Sequence, residues 1–198
     1  SLQDRLHVRL QNILKTKSKI PAKVRVKLSG DGTNVARSMH IINFTFTVLE
    51  EMSHRNSPAG NHTLAILKTS EKYECLAAGL ADICREIESC SFIEFNGKPV
   101  EIEYYLTGDW KFLALVTGID AANSRYSCLW CKCPKEDRHR MDLEWSLIDT
   151  DKGARTVEET LTTSSLPKSK RKYNVKSRLE TRVIMLHFKI KLRSAYQK

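Results

Sequence analysis

The pattern of apolar residues predicts an α/β fold built on one mixed sheet, and three observations carry that expectation. Residues 22–31 and 100–109 alternate apolar and polar side chains with the period of a half-buried strand, and each stretch ends on an aspartate. Between them, residues 71–89 repeat apolar side chains at three-and-four spacing, the mark of an amphipathic helix. Three strands, a crossover helix and a further strand together make a sheet with both parallel and antiparallel neighbours.

Taken in order, Leu2, Leu6, Leu10, Ile13 and Leu14 fall at helical intervals and predict a docked amphipathic helix over 2–14. A basic linker over 15–19 closes at Pro21, and the first strand runs over 22–31 with Val24, Val26 and Leu28 on one face. Lys23, Arg25, Lys27, Ser29 and Asp31 occupy the other face, and Gly32 with the residues after it is expected to turn the chain. Residues 40–49 return as a β-branched and aromatic strand, and 63–67 read as a third. In the helix over 71–89, Tyr73, Leu76, Ala77, Leu80, Ile83, Cys84 and Ile87 form the apolar stripe. Residues 92–95, Asn96-Gly97 and the strand from Val100 read as a hairpin with a two-residue turn. A short helix follows at Trp110, and a second is expected over 149–161, with Thr156 and Glu159 in a capping-box-like arrangement.

At 198 residues the chain suits one domain with extensions. It contains no apolar run of the ~18 residues that a membrane span needs, and no signal-peptide pattern at its start. The acceptor triplets at Asn43 and Asn61 have no other sign of secretion beside them and read as chance matches. Six cysteines in a chain of this length without a secretion signal do not read as a disulfide framework. The net charge of +10 is unevenly placed. Residues 1–27 hold eight basic side chains against one acidic, and 160–198 hold eleven against one. Residues 28–159 hold fourteen against twenty-one. An acidic centre suited to metal is thus flanked by basic arms suited to phosphate, or simply by solvated tails. The cluster Lys168, Lys170, Arg171 and Lys172 is of the phosphate-binding or nuclear-localisation kind.

Two constellations carry chemistry. Asp31 and Asp109 lie on the polar sets of their strands, so adjacent strands would bring both carboxylates to one side of the sheet. Converging carboxylates need a cation between them, and Mg²⁺ takes oxygen ligands while keeping water. Each also has a plainer explanation: Asp109 as a helix cap, and Asp31-Gly32 as a hairpin turn. The second constellation is Cys128-x-x-Cys131, which can present two thiolates to one tetrahedral Zn²⁺ from a tight turn. It is half a site. Cys133, His139 and His187 are further candidates without fixed spacing, and a pair of buried thiols is the alternative.

The ordered set resembles the ribonuclease-H-like catalytic core of cut-and-paste DDE transposases, and is most similar to Transib-type transposases and the V(D)J recombinase catalytic subunit. The resemblance covers roughly residues 22–135. It implies that Asp31 and Asp109 are two of three carboxylates holding Mg²⁺ or Mn²⁺, and that Cys128 and Cys131 are half of a structural zinc site. It also implies double-stranded DNA (transposon ends) as substrate, a homodimer in the intact enzyme and a nuclear location. The third carboxylate and the zinc-binding histidines of that family have no convincing match. Glu158, Glu159 and Glu180 follow the cysteines too closely. The expected organisation is an N-terminal helix and linker over 1–21 and a ribonuclease-H-like core over 22–127. A half zinc site over 128–140 and a basic extension over 141–198 complete it. The whole reads as a fragment of a transposase, weak or inactive by itself. A non-catalytic, zinc-stabilised nucleic-acid-binding protein is the rival, and an adaptor docking through residues 2–14 a third reading.

Overall fold

Val24, Val26 and Leu28 are fully buried while their strand neighbours Lys23 and Arg25 are exposed, so the alternation in the sequence is the alternation of the sheet. The computed structural model describes residues 1–162 except 17–18, 20, 38, 52–53, 56, 70–71, 118, 120–122, 147–148, 157 and 160–161. It is a mixed α/β fold. Helix α1 (Leu2–Thr16) leads into strands β1 (Lys23–Ala36), β2 (Met39–Val48) and β3 (His62–Lys68). Helices α2 (Tyr73–Gly79) and α3 (Ala81–Ser89) cross over to β4 (Phe92–Phe95) and β5 (Lys98–Gly108), and α4 (Trp110–Thr117) follows.

Among the described residues these strands lie in the order β3-β2-β1-β5-β4. β1 pairs antiparallel with β2 and parallel with β5, from Lys23 opposite Glu101 to Gly30 opposite Gly108. That parallel pair requires a crossover, which α2 and α3 supply. The hairpin between β4 and β5 turns through Asn96 (φ 50°) and Gly97 (φ 69°), the left-handed pair that a two-residue turn demands. Buried side chains from all four helices join one cluster with Val24, Val26, Leu28, Ile42, Phe44 and Phe46. Leu2, Leu6, Leu10 and Ile13 of α1 are among them. At about 1.5–3 kcal/mol for each buried side chain, this packing rather than helix propensity holds α1 in place.

Three expectations are corrected. β1 does not stop at Asp31: Asp31 faces Asn43, Gly32 faces Ile42 and Thr33 faces Ile41, so the Asp-Gly pair sits inside a strand. The β-branched residues of β2 supply ladder partners that outweigh the local turn preference. The single helix over 71–89 is two, broken at Leu80 (φ −101°, ψ 1°). Gly79 lets the chain approach β3 there, since a Cβ on it would lie 2.8 Å from Leu67 Cδ1. Residues 149–153 are not helical. Gly153 has φ 87° and packs under the Trp145 ring, and Ala154 pairs with Cys131 in an isolated bridge. Helical geometry resumes at Glu158 and Glu159, with Thr156 Oγ1 accepting from the Glu159 N–H at 3.0 Å.

Candidate metal and catalytic site

The site begins with two glycines. Gly30 and Gly108 are register partners at the last pair of the parallel ladder, and each is followed by an aspartate. A Cβ on Gly30 would fall 2.0 Å from Phe112 Cζ, and one on Gly108 2.7 Å from Phe112 Cδ1 and 3.2 Å from the Gly30 carbonyl oxygen. The Phe112 ring of α4 therefore lies directly on the backbone of both strands. Only glycine admits that approach. It brings the start of α4 down onto the strand ends and fixes where Asp109 leaves the sheet.

On the opposite face, polar side chains form two rows. In the first, Ser29 Oγ and Thr107 Oγ1 are hydrogen-bonded at 2.7 Å, with Thr45 opposite Ser29 on the other side. In the second, Asp31 lies opposite Asn43; Asp109 stands one residue past the Gly30–Gly108 pair, beyond the end of β5. Asp31, Asn43 and Asp109 are all exposed. The parallel ladder ends at this point while β1 continues with β2 alone, so the β5 side of Asp31 opens to solvent. Asp31 thus lies within β1, whereas Asp109 lies one residue beyond the end of β5, at the start of α4.

Asp109 also caps α4. Its Oδ1 accepts from the Phe112 N–H at 2.6 Å, and its carbonyl oxygen accepts from the Leu113 N–H at 3.0 Å. Capping and metal binding are compatible, since a carboxylate has lone pairs to spare after one hydrogen bond. The donor set of two carboxylates with an opposed Asn43 carbonyl is all oxygen, which fits a hard divalent cation retaining several waters. Among the described residues no group of three His, Cys, Asp or Glu side chains is placed to hold a metal ion. Glu158 is exposed, and Glu159 is engaged by Lys132 Nζ at 3.2 Å. Glu180 lies outside the described residues.

At the second site, Cys128 and Cys131 lie close enough for each thiol to shift the other's ionisation. The neighbouring Cys131 side chain, the Trp130 and Cys131 backbone N–H groups and the Arg155 charge pull the Cys128 thiol down to about 5, against the opposing effect of burial. Cys131 is pushed up by the neighbouring Cys128 and by burial. The turn is zipped to residues 153–155 by Lys132 N–H to the Gly153 carbonyl (2.8 Å) and Arg155 N–H to the Trp130 carbonyl (2.7 Å). This arrangement presents two sulfurs, half of what a structural Zn²⁺ takes. Cys133 is buried and directs its thiol to the Pro134 carbonyl at 3.5 Å, and His139 is exposed. His187 and the basic cluster Lys168, Lys170, Arg171 and Lys172 lie outside the described residues. A cavity of about 490 Å³ sits beside the cysteine turn, lined by Tyr126, Lys132, Trp145 and Lys152 among others, and neither aspartate reaches it.

The sequence reading missed Asn43 and the glycine pair. Asn43 is invisible without the β1–β2 register. The repeated Gly-Asp at 30–31 and 108–109 was a signal in plain view, whose meaning depends on Phe112. No protein-family model matches the sequence, and no curated protein is significantly similar to it.

Proposed function

We propose that this chain carries the metal-binding part of a ribonuclease-H-like DNA-cleaving and strand-transferring core, of the kind found in Transib-type DDE transposases. The observation that supports it best is the parallel register of β1 and β5, in which paired glycines at the end of the ladder are each followed directly by an aspartate. The strand order β3-β2-β1-β5-β4 and the Cys128–Cys131 pair agree with the same reading.

In that reading Asp31 and Asp109 bind and orient a divalent cation, and the Asn43 side chain offers a further oxygen from across the β1–β2 ladder. Mg²⁺ or Mn²⁺ bound there supplies charge stabilisation to a phosphodiester and lowers the pKa of an attacking water. Phe112 and the two glycines hold the carboxylates in place from the buried side. Two carboxylates define one ion position rather than two, so the expected activity of this chain is weak. Cys128 and Cys131 would hold one side of a structural Zn²⁺. Double-stranded DNA, a homodimer and a nuclear location follow from the resemblance alone.

Nicking of supercoiled plasmid in Mn²⁺ tests the proposal. Nicking is expected from the parent and is abolished by Asp31→Asn or Asp109→Asn; nicking that persists in both variants removes these residues from the mechanism. The rival reading, a non-catalytic nucleic-acid-binding protein, draws support from the cap at Asp109, which gives that carboxylate a structural task without any metal. It predicts salt-sensitive DNA binding and no nicking.

A further inference from the structure

Three basic residues alternate along the polar face of β1, and two are already neutralised. Lys23 Nζ faces Glu101 at 3.2 Å. Arg25 Nε meets the buried carboxylate of Glu50 at 2.8 Å, and Glu50 also accepts from the Arg25 backbone N–H at 2.8 Å. Lys27 differs. It is half-buried, stands in register between the buried Thr47 and Tyr105, and has no acidic partner among the described residues. The Tyr105 hydroxyl is directed to Glu103, the nearest carboxylate along β5. Ahead of Lys27 on the same face come Ser29 and then Asp31.

We propose that Lys27 is a phosphate-holding residue of the polar sheet face, gripping the backbone of the nucleic acid strand whose reacting phosphodiester lies at Asp31 and Asp109. The inference rests on the metal reading above and adds a second anchor to it. Four residues of strand separate Lys27 from Asp31, roughly 13 Å. With about 3.4 Å of axial rise per nucleotide in one strand of a duplex, the phosphate held lies within about four nucleotides of the reacting one. At that distance, beyond a Debye length of about 8 Å at physiological salt, Lys27 does little to neutralise the carboxylates themselves. Its task is local: to bind one phosphate where an acidic pair would otherwise turn the strand away. With no acidic partner among the described residues, the Lys27 ammonium is open to a phosphate oxygen as its charge-assisted hydrogen-bond acceptor.

The test is binding of a fluorescent DNA duplex by the full chain in metal-free buffer, between about 50 and 200 mM salt. Lys27→Gln is expected to weaken binding severalfold and to lower the slope of log K against log salt by about one. Lys27→Arg restores the slope, and Lys23→Gln, whose cation already faces Glu101, leaves it unchanged. A Lys27→Gln slope equal to the parent's overturns the proposal, as does a parent that binds no duplex. Mn²⁺ calorimetry on the same variants separates the two readings. Mn²⁺ binding with an unchanged slope overturns the role of Lys27 alone. A changed slope without Mn²⁺ binding overturns the metal reading and leaves Lys27 as a phosphate contact.

Discussion

Ser29 and Thr107 join their hydroxyls at 2.7 Å across the parallel seam of β1 and β5, one pleat repeat before Asp31 and Asp109. The contact shows which face of the seam carries the polar residues. Asp31 is the next residue of that face in β1. Asp109, 78 positions later in sequence, comes one residue after β5 ends at Gly108, where its side chain caps α4.

Gly30→Ala and Gly108→Ala each force a methyl into the Phe112 ring, and overpacking of this kind costs about 1–3 kcal/mol. Urea unfolding should show that loss for both. In a Phe112→Leu background, which withdraws part of the ring, Gly30→Ala should cost less than in the parent. Equal costs in both backgrounds would mean that Phe112 does not dictate the glycines.

The two tasks of Asp109 separate by substitution. Asparagine caps a helix about as well as aspartate, so Asp109→Asn should leave thermal stability close to that of the parent while removing the charge. Asp109→Ala loses the cap as well and should cost about 0.5–2 kcal/mol. Calorimetric unfolding of the two variants side by side checks the difference, and equal stability would contradict the cap.

Cys128 should be the reactive thiol of the metal-free protein. Its pKa is depressed, so it is ionised at pH values above about 5, and the thiolate fraction falls as pH drops through that value. Alkylation by iodoacetamide, mapped by peptide mass spectrometry, should label Cys128 at pH 6, where Cys84, pushed up to about 12 by burial, stays unlabelled. Zn²⁺ added beforehand should suppress the labelling. Loss of Cys128 labelling between pH 9 and 7 would contradict the depressed pKa.

Much of the sheet was legible because its signals are local. The alternation in β1 and β5, the Asn96–Gly97 turn and the apolar stripe through Tyr73, Leu76, Leu80, Cys84 and Ile87 needed no partner to be read. The misreadings came where a distant contact overrode a local preference. Asp31-Gly32 prefers a turn, yet Asn43 and Ile42 hold it extended. Residues 149–153 allow a helix, yet the Trp145 ring against Gly153 and Cys131 beside Ala154 impose a turn. Tyr105 belongs to the polar set of β5 by position and is nevertheless buried, which alternation by itself does not foretell. The site was half legible. Asp31, Asp109 and the cysteine pair could be singled out from strand alternation and the Cys-x-x-Cys spacing, whereas the proposed parts of Asn43, Gly30, Gly108 and Lys27 depend on a register that the sequence does not display.

The most direct measurement is calorimetric titration of the full chain with Mn²⁺. One weakly held ion is expected, lost in Asp31→Asn and lost again in Asp109→Asn, with both variants folded. Mn²⁺ affinity that is unchanged in either variant would contradict the claim that Asp31 and Asp109 share a cation.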